Sequence, residues 1–462
     1  MPEVPQPVDL LVTGADLVTM DTLRSVISRG AVAIDQGRIR WIGPEQDGAD
    51  RFFPRETLNA SGRIGLPGLI DTHFHTGQQL LRGKLIQLSR RRQLRIPIWR
   101  NYLIPFESIL TPDDVYLSGL VAYSNMLRVG TTCFAEGGGP HPDEMGRAAE
   151  EVGIRGILAL STLDMGDDIP ASMRLTTRQA IDQNVALVRR WHRPEEPDRL
   201  VDAWLALRQL IVCSQELWET FRDLATALDV RVHTHLAEGT YEVDYAAEHW
   251  SKRPAEHLES IGFLGPRMHA AHSILLSDEE LDLYAKRGVT VAHCPIGNFI
   301  IGPPKIPQML RLGIPVGLGS DGAANGSIDL FRAMHVSQVA LQSHFGTPWH
   351  VRAVPSAEDL LAIATIGGAK ALGLGAELGS LEVGKRADLL LINPTRLDVQ
   401  PVYDPMFTAA RAATGSDVET VIVAGRIAMK DGHILTIDEE RLRARLDRQW
   451  PAIMDRFERL VA

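Results

Sequence analysis

Gly68-Leu69-Ile70-Asp71-Thr72-His73-Phe74-His75 is an apolar run that ends in two histidines one residue apart. Successive side chains on a β-strand point to opposite faces, so His73 and His75 share one face. Imidazole is the commonest neutral ligand for zinc-like ions, and two imidazoles on a rigid strand lose little entropy on binding. The pair reads as half of a metal site, or else as two polar groups packed in a core. Further ligands downstream decide between the two.

Working outward from this strand, apolar strand-like segments alternate with helical stretches from residue 67 to residue 376, the signature of parallel βα units. Eight strands are expected, at 69–75, 131–136, 154–161, 201–210, 231–238, 268–274, 289–295 and 315–321. Eight successive units predict an α/β fold closed as a (β/α)8 TIM barrel, which places its chemistry at the C-terminal ends of the strands. Before the barrel, Leu10-Leu11-Val12, Gly30–Ile34 and Ile39–Ile42 are short β-rich runs separated by turns. After it, Gly379–Ile392 and Glu419–Arg426 return to the same pattern. The expected organisation is a small discontinuous β-sandwich built from 1–66 and 377–435, a catalytic barrel over 67–376, and a C-terminal helix over 436–462.

Composition narrows the partners. With 45% hydrophobic and 23% charged residues, the 462-residue chain has the make-up of a globular protein with a sizeable core. A net charge of −10, spread without long runs, argues against nucleic acid and anionic membranes and suits neutral or cationic small molecules. No segment has the pattern of a signal peptide or a membrane span, so a cytoplasmic location is expected. Cys133, Cys213 and Cys294 lie far apart in apolar segments and read as reduced core thiols.

The decisive further ligands lie at other strand ends. His233-Thr234-His235-Leu236-Ala237-Glu238 ends the fifth strand with a second histidine pair and a carboxylate, and either histidine can complete a three-histidine site. The sixth strand ends in His272, and the eighth in Asp321 between glycines. A lone histidine in a strand is usually a satisfied core group. Convergence from strands one, five, six and eight reads as a site.

Several longer motifs carry a resemblance. Pro67–His75, Leu81-Arg82-Gly83, His235-Leu236-Ala237-Glu238, Ala271-His272, Ala292-His293-Cys294-Pro295, Gly319-Ser320-Asp321-Gly322-Ala323 and the Gly379–Leu389 run span nearly the whole chain. They resemble the amidohydrolase superfamily, in the branch of cytosine, guanine and methylthioadenosine deaminases and triazine chlorohydrolases. The resemblance implies that His73, His75 and His235 ligate one divalent ion, most simply zinc, with iron, cobalt or manganese as alternatives. It places His272 and Asp321 on or near the ion, contacting its water, and makes Glu238 the proton shuttle. It also implies a homo-oligomer, as relatives are often dimers or tetramers.

These residue types suit the chemistry. Three neutral imidazoles leave an ion its full positive charge, which lowers the pKa of water towards neutrality. Asp321 can accept the water's proton, His272 can orient the nucleophile, and Glu238 can protonate a ring nitrogen and then the departing amine. Binuclear members of the superfamily use a carboxylated lysine, or a carboxylate in its place, on the fourth strand. Val201–Leu210 holds no lysine and no C-terminal acid, so a single ion is expected.

Weaker candidates for substrate contact are Gln79 and Arg82 after strand one, Arg208 and Gln209 at the end of strand four, and His293 and Asn298 around strand seven. Strand four lacks the Gly-Pro-His-Ala-Pro-Tyr-like segment of adenosine-type deaminases, and Glu136 ends strand two where relatives often have aspartate. Both departures point away from a nucleoside. Arg90–Arg95 is a charge run, suited to a solvated face or a lid. The resulting expectation is a metal-dependent hydrolase of non-peptide C–N bonds, most simply a deaminase of an N-heterocyclic small molecule. The alternatives are a triazine, phenylurea or thiocarbamate hydrolase using the same site and, more remotely, a non-catalytic barrel scaffold.

Overall fold

A computed structural model describes residues 5–196, 198–351 and 354–461. The central strands are β1 (Leu69–Phe74), β2 (Thr131–Glu136), β3 (Arg155–Leu158), β4 (Val201–Ala203), β5 (Leu205–Leu207), β6 (Val232–Leu236), β7 (Met268–His272), β8 (Thr290–His293) and β9 (Val316–Leu318). They form two parallel sheets, β1-β2-β3-β4 and β5-β6-β7-β8-β9. All these strands are buried along almost their whole length, as expected where helices cover a parallel sheet.

The strand expected over 201–210 is divided at Trp204. Its amide donates to the Leu158 carbonyl at 2.9 Å on one side, while the next amide, of Leu205, donates to the Arg231 carbonyl at 3.2 Å on the other. One segment thus serves both sheets. The sheets meet again where β9 comes beside β1: Thr72 Oγ1 donates to the Leu318 carbonyl at 2.8 Å, and the Asp321 amide donates to the His73 carbonyl at 2.9 Å. The architecture is a parallel α/β, TIM-barrel-like fold.

Both chain ends enter one nine-stranded mixed sheet. Ile64–Pro67 joins its halves, pairing in parallel with Asp16–Leu17 and antiparallel with Leu389–Ile392. Hydrogen bonding therefore runs continuously from one chain end to the other, because this short strand has a partner on each edge. A separate apolar core beneath it takes Leu10, Val12, Leu17 and Val32 from the first end and Leu381, Leu389, Leu391 and Ile422 from the second. A buried, doubly bonded ion pair ties the sheet to the parallel strands: Arg155 Nε and Nη2 donate to Asp388 Oδ2 and Oδ1 at 2.6 and 3.1 Å.

The final helix, Glu439–Val461, buries Ile453, Met454 and Phe457. Phe457 meets Phe106 edge to face with ring centres 5.3 Å apart, and Glu458 pairs with Lys84, so this helix braces the segment that follows β1. Cys133, Cys213 and Cys294 are all buried free thiols, as expected, and burial pushes the Cys133 thiol up to about 12. Among the described residues, no helix is long and apolar enough to cross a membrane.

Candidate active site

Alternation along β1 turns His73 and His75 to the same side, and β6 brings His235 opposite them. β6 pairs with β7 in parallel so that Leu236 lies beside His272. Asp321 follows β9 and is held against β1 by its amide bond to His73. His73, His75, His235 and His272 are buried, with Glu238 and Asp321 partly exposed around them. His272 and Asp321 have φ of +69° and +62°, a left-handed backbone that costs a non-glycine residue about 1–3 kcal/mol and persists where the surroundings hold it. That conformation ends β7 at His272 and turns the chain at Asp321, three residues past β9, where each side chain meets the histidines. Gly137, after β2, leaves room for the imidazoles: a Cβ there would lie 2.5 Å from His73 Cε1 and 2.8 Å from His75 Cε1.

The hydrogen-bond partners of the rings fix what the site can hold. His75 Nδ1 donates to the Gly138 carbonyl at 3.3 Å, and His235 Nδ1 donates to the Arg208 carbonyl at 2.8 Å. Each ring therefore turns a bare Nε2 lone pair inward, and these two nitrogens face each other at 3.1 Å. His73 Nδ1 lies 2.9 Å from His233 Nε2, and His73 Nε2 is buried without a hydrogen-bond partner among the described residues, 3.2 Å from Asp321 Oδ1. Burial holds His73, His75 and His235 well below the usual imidazole range, with nearby cationic groups adding to it. Three neutral, inward-facing imidazole nitrogens fit a divalent cation. Two ligand triads, His73–His75–His235 and His73–His272–Asp321, share His73 and describe one centre.

Around this centre the other polar groups are organised in pairs. Glu238 Oε2 accepts from Gln209 Nε2 at 3.0 Å and from the Tyr241 hydroxyl at 3.1 Å, and the Tyr241 oxygen accepts from Trp99 Nε1 at 2.9 Å. The Glu238 backbone is held by buried Glu242, whose Oε2 accepts from the Glu238 amide at 3.1 Å. Asp71, beneath the pair of β1 histidines, accepts from the Ser320 hydroxyl at 2.6 Å, and burial pushes it up to about 7. Glu136 accepts from the Thr76 hydroxyl at 2.6 Å, and burial pushes it up to about 8.

A small cavity opens onto the centre. His75, His235, His272, Asp321 and Glu238 line one part of it, while Arg208, Gln209, Trp99 and Leu103 form the rest. Of the weaker sequence candidates, Arg208 and Gln209 are therefore in the cavity wall. Gln79 and Arg82 are not: Gln79 is buried in the turn after β1, and Arg82 is exposed with only a 3.5 Å contact to Gln79 Oε1. His293 and Asn298 stand behind His272. The Asn298 amide meets His272 Nδ1 at 3.0 Å, and His293 Nε2 lies 3.2 Å from the Ser337 hydroxyl. They support the site without lining the cavity. The arginine run at 90–95 does not line it either; Trp99 and Leu103, a few residues later, do. Sequence reading missed both, along with Tyr241, whose only local signal is its place three residues after Glu238.

The amidohydrolase family model matches residues 64–428. A 5-methylthioadenosine/S-adenosylhomocysteine deaminase of Syntrophobacter fumaroxidans is 32% identical over 95% of this chain and 97% of its own length. A 5'-deoxyadenosine deaminase of Methanothermobacter thermautotrophicus is 32% identical over 93% and 95%. The crystal structure of an adenosine deaminase from Xanthomonas campestris with bound zinc superposes with a TM-score of 0.89, at 28% identity over 98% of this chain and all of that one. The chain belongs to the amidohydrolase family and is a hydrolase acting on C–N bonds.

Proposed function

We propose that this protein deaminates a small N-heterocycle hydrolytically. The observation that carries the reading is the convergence of three bare imidazole Nε2 atoms with Asp321 and His272 on one side of a cavity, and Glu238 beside them. His73, His75 and His235 would hold one divalent ion, with zinc the first choice because a similar solved structure holds it. When bound, the ion supplies the Lewis acidity that makes water a nucleophile near neutral pH.

The chain's own groups do the rest. Asp321 takes the proton from the attacking water, its Oδ2 steadied by Asn325 Nδ2 at 2.8 Å. His272, fixed at Nδ1 by Asn298, orients the water and the oxygen that develops charge. Glu238 has Oε2 occupied by Gln209 and Tyr241, which leaves Oε1 to pass one of the water's two protons to the ring nitrogen and then to relay the other, taken up by Asp321, to the departing amine. The water oxygen bonds to carbon, the C–N bond breaks, and the amine leaves with the shuttled proton.

We further propose that the parallel strands close as one (β/α)8 barrel over 67–376, with 1–66 and 377–435 as a small second domain and 436–462 as a bracing helix. Trp204 and the β9–β1 contacts support the closure. A homo-oligomer in the cytoplasm is the accompanying expectation. The test is ammonia release from a panel of aminated purines, pyrimidines and pterins by metal-loaded protein. Ammonia from at least one class supports the reading; release only of aniline, dialkylamine or chloride from other compounds replaces it with hydrolysis of a different bond.

A further inference from the structure

β6 carries two histidines on one face, His233 and His235, and their surroundings give them different roles. His235 turns its Nε2 to within 3.1 Å of His75 Nε2 and belongs to the ligand set. His233, two residues nearer the start of the strand, is fully buried and lies outside both ligand triads. Its Nε2 is 2.9 Å from His73 Nδ1.

That contact is the one side-chain hydrogen bond of His233 among the described residues, and its Nδ1 is buried without a partner. The ring of His269 stands edge-on with its centre 5.0 Å away, but both of its nitrogens are engaged elsewhere. His269 Nε2 donates to the Thr72 carbonyl at 2.9 Å, and its Nδ1 meets the Thr290 hydroxyl at 2.8 Å. A buried polar nitrogen left unpaired is costly, and an apolar residue in the same space would avoid that cost. Core packing alone therefore does not account for an imidazole at this position.

The three ligand rings differ in what holds them. His75 Nδ1 and His235 Nδ1 donate to the backbone carbonyls of Gly138 and Arg208, groups that any residue at those positions would supply. His73 has no such carbonyl. A bare Nε2 on a neutral imidazole requires the proton to be on Nδ1, and that buried proton needs an acceptor. His233 Nε2 is the acceptor in reach. A hydrogen bond of this kind fixes the ring's orientation and tautomer and raises the basicity of the ligating nitrogen.

We propose that His233 is a positioning residue, holding His73 in the tautomer and orientation that ligation needs, so that affinity for the divalent ion depends on a side chain outside the ligand set. The proposal rests on His73, His75 and His235 being the ligands. It is independent of which heterocycle is turned over.

The experiment measures zinc affinity by competition with a chromophoric chelator, for the parent protein, His233→Leu and His233→Gln. Leucine fills the space without an acceptor, whereas the glutamine amide oxygen reaches about as far along the side chain as Nε2 does. The Kd of His233→Leu should rise about 10- to 100-fold, while His233→Gln stays within a few-fold of the parent. Parent-like affinity in His233→Leu, or equal weakening in both variants, overturns the proposal. The zinc-loaded parent decides even if neither variant folds: nuclear magnetic resonance of isotope-labelled histidines should place a proton on His73 Nδ1, coupled across the hydrogen bond to His233 Nε2. A bare His73 Nδ1 with the proton on His233 Nε2 overturns it equally. A parent that takes up no zinc defeats this proposal together with the ligand assignment, whereas tight zinc binding that is unchanged in His233→Leu defeats this proposal alone.

Discussion

His75 Nε2 and His235 Nε2 face each other at 3.1 Å, each on a ring whose Nδ1 proton is already committed to a backbone carbonyl. Two bare lone pairs at that separation repel unless a cation lies between them. Chelator-treated protein is therefore expected to melt at a lower temperature, and readdition of a divalent ion to restore it, by about 2.7 kcal/mol at 100-fold excess over Kd. Calorimetry with and without the ion measures this. An unchanged melting temperature contradicts the assignment of these rings as ligands, as does full metal content in His235→Ala.

Glu238 lies off the ligand set, so its loss should separate chemistry from metal binding. Glu238→Gln keeps the shape and the bond to Gln209 but cannot shuttle a proton. The expected loss in kcat is about 10²- to 10⁴-fold, with metal content equal to that of the parent. Turnover within a few-fold of the parent would remove Glu238 from the mechanism.

Trp99 and Tyr241 join the segment after β1 to the helix Thr240–Trp250, which follows Glu238, through one 2.9 Å hydrogen bond. Tyr241→Phe deprives Trp99 Nε1 of its acceptor and Glu238 Oε2 of a donor. A loss of up to about tenfold in kcat/KM is expected from this disturbed network. Steady-state kinetics at constant metal loading checks it, and parent-like kinetics would show that the Trp99 wall closes without the link.

Acid should weaken the fold before it touches the ion pairs. Burial lowers His257 and His269 to about 4 and His293 to about 3. In the unfolded chain these groups titrate near 6.5. Below about pH 6.5 the unfolded chain takes up protons that the folded chain refuses, so their effect is to lower stability as pH falls from 6.5 towards 4; above that window they contribute no slope. Urea midpoints at pH 7.5, 6 and 5 should fall in that order. His257 stacks on Trp250 with ring centres 3.6 Å apart, so His257→Phe keeps the stack and should flatten the slope. An unaltered slope in that variant would show that His257 is free to protonate.

Arg155 and Asp388 pair at 2.6 Å with both side chains almost wholly buried. Removing one partner leaves an uncompensated charge, so Arg155→Met is expected to cost about 3–5 kcal/mol in denaturant unfolding. Asp388→Asn in the same background should recover part of it. A cost below about 1 kcal/mol would mean that the sheet and the parallel strands are held together by apolar contacts alone.

The physics of each element decides how legible it is in the sequence. Strands such as Thr131–Glu136 were legible to the residue, because a buried parallel strand is a continuous apolar run bounded by turns. The break at Trp204 was not, since apolar residues continue on both sides of it and only the hydrogen-bond partners change. His73, His75, His235, His272, Glu238 and Asp321 were legible because strand ends fix them. Trp99 and Leu103 were hidden, as a connecting segment has no period from which to infer where its side chains turn. Gln79 and Arg82 failed as cavity residues for the same reason: proximity to His75 in sequence did not specify the direction of the turn that follows it. The joining of the two end segments in one sheet depends on Ile64–Pro67, four residues too short to reveal two partners.

The most direct test of the account is ammonia release by the same preparation before metal stripping, after it, and after reloading with one equivalent of zinc, against aminated N-heterocycles. Turnover is expected to disappear on stripping, to return on reloading, and to saturate near one ion per chain. Ammonia release that survives complete stripping, or its absence across the panel from fully loaded protein, would contradict it.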